Sequence, residues 1–469
     1  MRGCSMTKPV KRLLGINKKD SRPIFSPKDS HSMLLSAAGG GKTTCGAIPW
    51  ILSLLADTTR AIVVNDCKDG EIARQLAALC QRYGRKVAVI DDFSVLGADC
   101  PFRISLSPFG SIFQAAGIEA SGELVFAMDN AAHALIPEPP NDAKNQYFRD
   151  WPRLLLEFCI YALASRDLHL AVPGGVWSML ADPELLLSAA RIAVEEDDAN
   201  LRALGADILD MERHNKEHWG QHRSAALKAL RIYSAASPLH NAGRKAALTH
   251  EQLLKERYVI FIVGPQRHMA RLGPHYALHL QSFTDAVLSG ADAKVDFILD
   301  EATNAPLKSL ISAMTVIRGY GGNLHFIAQS RSEIQRAYSE KETATIEENA
   351  IIKQYFGFSS FEECERISRA IGETLTQQHS MGLSSASLDY TSNIGTGKDR
   401  LISAERLMRM RPDEQLIHVK NVGWILCNKV AQHQIAPFCH GELADNPLEG
   451  PQLPPDPKVS IEIKKAHRQ

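Results

Sequence analysis

Short β-branched runs alternate with amphipathic stretches over most of this chain, and the alternation breaks once. SMLLSA (32–37), AIVVND (61–66) and KVAVID (86–91) are apolar runs of strand length. Between them, 46–55 and 71–83 have the length and period of helices. Buried strands separated by helices predict a mostly parallel α/β sheet. From 112 to 250 the β-branched runs disappear. Helical periodicity takes over at 125–135, 147–165, 184–194, 201–213 and 221–236, with breakers at IPEPPND (136–142) and VPGG (172–175). Strand signals return in YVIFIV (258–263), DFILD (296–300), LHFIA (324–328) and IIKQYFGF (351–358). An all-α insertion therefore divides the sheet in sequence. After His440 the chain becomes proline-rich (NPLEGPQLPPDPK), which predicts an extended tail. The resulting division is a basic segment at 1–30, an α/β domain built from 31–111 and 251–438, an all-α domain at 112–250, and a tail at 439–469.

Composition adds exclusions. The 469 residues are 45% hydrophobic and 23% charged, which is ordinary globular usage and enough chain for a core without metal or disulfide. Lys plus Arg and Asp plus Glu are both 53, so a uniformly basic coat is excluded while local patches are not. One such patch is residues 1–28, where eight Lys/Arg meet one acid, Asp20, for a local +7. It reads either as a solvated tail or as a contact with anionic lipid or nucleic acid. No apolar run reaches the ~18 residues of a membrane span, and the N-terminus has no signal-peptide core. Nine cysteines without a CxxC pair fit a reducing compartment. A soluble intracellular chain is expected.

The sharpest chemistry is MLLSAAGGGKTT (33–44). A strand, a glycine-rich turn ending in Gly-Lys-Thr and a following helix are what phosphate binding requires. Successive N–H groups face the anion, and the helix dipole adds attraction. Ala38, Gly39, Gly40, Gly41, Lys42, Thr43 and Thr44 form this loop. Lys42 is assigned to the β/γ phosphates and the Thr43 hydroxyl to Mg²⁺. Ser36 stands where the usual motif opens with glycine. In VDFILDEATN (295–304) an apolar strand delivers Asp300 and Glu301 to its carboxyl end, where open α/β sheets bind ligands. Asp300 is the expected second Mg²⁺ ligand, and Glu301 is expected to polarise the attacking water. VIRGYGGNLHFIAQS (316–330) offers Gln329 at the end of the neighbouring strand as a γ-phosphate sensor. Arg318 precedes a glycine-rich turn and on spacing alone reads as an exposed helix-end cation. The 17 histidines include no HExxH, Cys439-His440 has no partner at metal-ligand spacing, and Cys67 reads as a small buried residue.

Four stretches together resemble the TraG/TraD-type coupling proteins of type IV secretion and conjugation, RecA-like ring ATPases related to the FtsK/HerA translocases. They are SAAGGGKTTCGAIPWIL, IVVNDCKDGEIARQLAALCQRYGRKVAVIDDF, ILDEATNAPLKSLISAMTVIRGYGGNLHFIAQSRSEIQRAY and RLISAERLMRMRPDEQLIHV. The second departs from the family's pattern: Cys67 and Asp92 replace prolines, and Asp69 is inserted. The resemblance implies a RecA-like phosphate-loop ATPase fold interrupted by an all-α domain. It implies ATP and Mg²⁺ as cofactors, and self-assembly into a hexameric ring. It also implies that the ring couples single-stranded DNA with its relaxase, or a secreted protein, to type IV secretion channel subunits. It gives Arg318 the role of a finger that reaches a neighbouring subunit's nucleotide. Family members usually carry an N-terminal transmembrane anchor, and no such segment stands here: either this is a naturally soluble variant, attached through a separate membrane partner or the basic residues 1–28, or the anchor was removed. Attachment at the cytoplasmic face of the inner membrane is expected through partners. Two other readings stay open here: a nucleotide-binding scaffold with little turnover, and a cytosolic FtsK/HerA-like DNA translocase unrelated to secretion.

Overall fold

The computed structural model describes residues 11–116, 122–139, 145–304, 306–383 and 390–466, with backbone alone over 376–383 and 390–397. Twelve strands form one sheet. In chain order they are β1 (Leu13–Ile16), β2 (Pro23–Phe25), β3 (Ser32–Leu35), β4 (Arg60–Asp66), β5 (Val87–Ile90), β6 (Arg103–Ile104), β7 (Val259–Val263), β8 (Lys294–Leu299), β9 (Gly322–Ala328), β10 (Ile352–Tyr355) and, after a separate hairpin of β11 (Glu373–Leu383) and β12 (Tyr390–Arg400), β13 (Glu414–Val419) and β14 (Gly423–Asn428). Their spatial order is β2-β1-β14-β13-β10-β3-β9-β8-β4-β7-β5-β6. From β10 to β6 every neighbour is parallel, and from β13 to β2 every neighbour is antiparallel.

The parallel strands are apolar and buried on both faces because helices cover both. α1 (Ile48–Leu54) and α2 (Glu71–Arg82) pack on one side. The chain then leaves the sheet after β6 and runs through α3 (Gly110–Ala116), α4 (Glu123–Leu135), α5 (Tyr147–Ala164), α6 (Pro173–Ala181), α7 (Pro183–Val194), α8 (Ala199–His214) and α9 (Lys216–Ala229). Asp182 and Asp198 cap the starts of α7 and α8 by accepting backbone N–H bonds, so both helices begin ahead of the points the apolar period predicts. After α10 (His250–Lys255) the chain re-enters as β7 between β4 and β5, and α11 (Met269–Leu288), α12 (Lys308–Ala313), α13 (Arg331–Tyr338), α14 (Glu340–Asn349) and α15 (Phe361–Ile371) complete the layers. The α/β fold with a mostly parallel sheet and a helical insertion is thus the observed architecture.

Two terminal expectations change. The basic segment is not a free tail from Lys11 onward, because β1 and β2 extend the sheet. Arg12 is buried, donates to Ser32 Oγ at 2.8 Å and Ser30 O at 3.2 Å, and lies 5.3 Å over the Trp50 ring. Lys18 pairs with buried Glu414. Four of the eight charges, at Lys11, Arg12, Lys18 and Lys19, thus flank or anchor a packed strand; Arg2 and Lys8 lie outside the described residues. The proline-rich tail folds back on α2. Asn446 Nδ2 donates to Glu71 Oε1 at 2.8 Å, and Ala466 N–H donates to Arg82 O at 3.1 Å.

A buried polar network joins β3, β4, β8 and β9. Asp296 accepts from Arg60 and, at 2.8 Å, from His325 Nε2, while Ser32 Oγ meets His325 Nδ1 at 2.9 Å. His31 accepts from Leu324 N–H and donates to Met314 O, both at 2.9 Å. Both rings are therefore bonded as neutral imidazoles. Burial holds His31 down at about 4, helped by the charges of Arg318 and Arg12, and holds His325 down at about 3 despite Asp296. For a base whose folded pKa is depressed, the unfolded chain takes up the proton first. Stability is thus complete above the ordinary value of 6.5 and falls as pH falls toward the folded values. Each ring should remove about 2 kcal/mol by about pH 5. Denaturant midpoints are expected to drop between about pH 7.5 and about pH 5, and an unchanged midpoint would contradict neutral burial.

Candidate nucleotide site

β3 ends at Leu35, and Ser36 N–H donates to Ala328 O at 3.1 Å, so the glycine-rich loop opens at the carboxyl edge of the sheet. Gly41 has φ +86°, a conformation other side chains rarely adopt, and a Cβ on Gly40 would sit 2.0 Å from Ser36 Oγ. The helix that follows begins with a wide turn over Lys42–Ala47, in which Ile48 N–H reaches Thr43 O, before settling into α1. The first N–H groups of such a turn lack intrahelical partners and face whatever sits at the helix start. Ala38 and Gly39 are exposed, and Thr44 is half-buried. Lys429, on the far side of the loop, donates to Gly40 O at 3.0 Å and Phe356 O at 3.1 Å, tying the loop to the sheet.

β8 is the central strand facing this loop, between β4 and β9. It delivers Asp300 and Glu301, both buried. Glu301 sits at φ +51°, a strained backbone for a side-chain residue. The turn that imposes it is held by Ala302 N–H to Ile327 O at 3.0 Å and Asn304 N–H to Glu301 O at 2.9 Å. Lys42 Nζ lies 3.1 Å from Ser36 O and 3.5 Å from Glu301 Oε1. Lys68, from the turn between β4 and α2, reaches Glu301 at 2.8 Å and Asp300 at 3.7 Å. Burial alone would raise Glu301, but Lys68 and Lys42 hold it below the usual carboxylate range. Burial pushes Asp300 up to about 6, with Lys68 opposing and Glu301 and Glu71 reinforcing the shift. Asp300 Oδ1 is buried without a hydrogen-bond partner. Thr43 Oγ1 meets Glu71 Oε2 at 3.4 Å. A hydroxyl, an orphaned carboxylate oxygen and three acids around two lysines fit a divalent cation and a polyphosphate.

The structure therefore brings Lys42, Thr43, Asp300 and Glu301 into one cluster. Gln329 stands exposed after β9 on the same edge and lines a cleft of about 270 Å³ with Ala37, Arg331 and Arg366. Arg318 is not in the cluster. It lies in the turn Ile317–Tyr320 that precedes β9, exposed, at the amino edge of the sheet. Val295 pairs with Gly322 and Leu299 with Phe326, so the length of a strand, roughly 20 Å, separates it from its own Asp300. Reading the sequence missed Lys68, Glu71 and Lys429. The first two stand in the CKDGE stretch (67–71), where nothing in the local spacing points either side chain at the loop.

A glycine-lysine loop after β3 and an acid pair after β8, parallel strands with β9 between them, mark a phosphate-loop α/β protein. The family described as "Type IV secretory system Conjugative DNA transfer" matches residues 11–452, and the chain belongs to that family. Protein VirD4 of Rhizobium rhizogenes is 25% identical over 175 residues, which is 36% of this chain and 26% of that relative, so about a quarter of its length is matched. The bacterial conjugative coupling protein TrwBdeltaN70 superposes with TM-score 0.66 at 15% identity, over 90% of this chain and 89% of its own. Plasmid coupling protein TrwB in complex with ADP and Mg²⁺ superposes with TM-score 0.61 at 15% identity, over 86% and 85%. These likenesses show a shared fold. No helix among the described residues is long and apolar enough to cross a membrane.

Proposed function

We propose that this protein is an ATP-hydrolysing coupling protein that recruits and moves a relaxase-bound single-stranded DNA or a secreted protein to a type IV secretion channel. The observation that carries the reading is the buried cluster of Lys42, Lys68, Asp300 and Glu301 at the loop. A site retained only for binding has no need of a strained, doubly paired Glu301. Plasmid coupling protein TrwB in complex with a non-hydrolysable ATP analogue, and in complex with ADP and Mg²⁺, supports the choice of ligand.

Thr43 and Asp300 would hold Mg²⁺, which neutralises charge on the bridging phosphates when bound. The loop N–H groups from Ala38 to Thr44 bind the phosphates, and Lys42 leaves Glu301 to pair with them. Glu301, freed of one lysine and kept ionised by Lys68, accepts the proton of the attacking water. Gln329, exposed at the same edge, senses the γ-phosphate. Arg318 serves the nucleotide of the adjacent subunit in a hexameric ring. Exposed Val316 and Tyr320 (51% and 54%) beside it support a subunit contact there. The block 112–250 acts as the all-α domain of each subunit, and attachment at the inner membrane's cytoplasmic face comes through partners.

Phosphate release by the full chain, measured with and without single-stranded DNA and relaxase, tests this. Stimulation that weakens as salt rises is expected, since phosphate contacts release counterions. Turnover that ignores DNA, relaxase and channel subunits alike would overturn the coupling role.

A further inference from the structure

A second polar cluster lies away from the nucleotide loop, where the α/β core meets the helical block. Asp92 follows β5, two residues beyond Ile90. His275 and His279 sit four apart on α11, which places them on one face of the helix. One ligand atom from each of the three lies within 4.8 Å of the other two, and Asp92 Oδ2 is 3.2 Å from His275 Nε2. Both histidines are buried, at 1% and 0% exposure, while the Asp92 side chain keeps 15%.

The hydrogen bonds around the three residues have a direction. His275 Nδ1 meets Tyr233 Oη at 3.0 Å, and His279 Nδ1 meets His250 Nε2 at 3.2 Å. Each ring is thereby oriented through one nitrogen by an outer partner. On His279 this leaves Nε2 buried with no hydrogen-bond partner. Asp92 Oδ2 is likewise buried without one, although the His275 ring approaches it. An imidazole oriented by an outer partner through one nitrogen, with the other left for the metal, is how metal-bound histidines are held. Two such rings and one carboxylate supply three ligands of the nitrogen and oxygen type that zinc accepts.

We propose that Asp92, His275 and His279 bind a divalent transition metal of the zinc class, with Tyr233 and His250 as the outer partners that orient the two rings. Tyr233 belongs to the helical block, His250 to the helix that follows it, and Asp92 to the edge of the α/β core. All three ligands thus belong to the α/β core, and the helical block reaches the site through the outer partners.

The test uses the full, tag-free chain with saturating Mg²⁺ present to occupy the acids of the nucleotide loop. Zn²⁺ is titrated against a chromophoric chelator, and Co²⁺ is followed by its visible ligand-field bands. One tight equivalent per chain is expected, with a higher thermal midpoint when zinc is bound. Tyr233→Phe should weaken binding about tenfold, and Asp92→Asn and His279→Gln should weaken it further. Lys42→Ala should retain the cobalt bands. If His279→Gln fails to fold, the partly exposed Asp92→Asn carries the test. No stoichiometric binding by the parent chain in Mg²⁺, or undiminished affinity in Asp92→Asn, would overturn the site.

Discussion

Lys42→Ala is expected to hydrolyse ATP at least about 10²-fold more slowly than the parent while keeping its fold. Lys42 is buried, yet its contacts are with Ser36 O and Glu301, not with the apolar core. Truncation leaves Glu301 paired with Lys68 at 2.8 Å, so no carboxylate becomes an uncompensated buried charge. What is lost is the one loop cation positioned to follow charge onto the phosphates. Circular dichroism and the melting curve should match the parent, and phosphate release should not. Hydrolysis at the parent rate would remove the loop assignment.

Arg318→Ala is expected to bind ATP normally and turn over about 10³-fold more slowly, provided the chain forms a ring. The residue precedes β9 at the amino edge, whereas its own loop and Asp300 stand at the carboxyl edge. A side chain cannot span the strand between them. Its surroundings suit a neighbouring subunit: the turn is exposed, and Val316 and Tyr320 present apolar surface beside it. A cation delivered only on ring closure ties turnover to assembly, because the transition state spreads charge over the phosphoryl oxygens. Mixing Arg318→Ala with Lys42→Ala should restore partial activity, each supplying what its neighbour lacks. If mixing never rescues, the finger is another residue. Arg331 is the less favourable substitute, since it stands on the carboxyl edge and pairs with Glu347 at 3.1 Å.

The parallel half of the sheet was legible because its strands are buried on both faces and carry unbroken β-branched runs, as in RAIVVND and VIFIV. The antiparallel edge was not. β14 (GWILCN) is half-buried, and β1 (LLGI) is a four-residue strand inside a basic stretch, so charge concealed it. Arg12 read as a solvated cation because its partners, Ser30, Ser32 and Trp50, lie up to 38 positions later. The loop and the acid pair announced themselves through glycine, lysine and adjacent carboxylates at the ends of apolar runs. Lys68 and Glu71 did not, since their roles depend on β4 lying beside β8, a neighbour relation that only the sheet order supplies. His275 and His279 are four apart on one helix, but Asp92 stands 183 positions before His275, beyond any spacing rule.

The central claim is that the Asp300-Glu301 cluster makes this chain a hydrolysing enzyme and not a nucleotide-binding scaffold. Glu301→Gln tests it most directly, because the amide keeps the shape and the contact with Lys68 but cannot take a proton from water. The account predicts that Glu301→Gln binds Mg²⁺-ATP as the parent does and releases phosphate about 10²- to 10⁴-fold more slowly, the range of a lost general base. Parent-like phosphate release by Glu301→Gln, or no release by the parent chain in the presence of single-stranded DNA and relaxase, would contradict it.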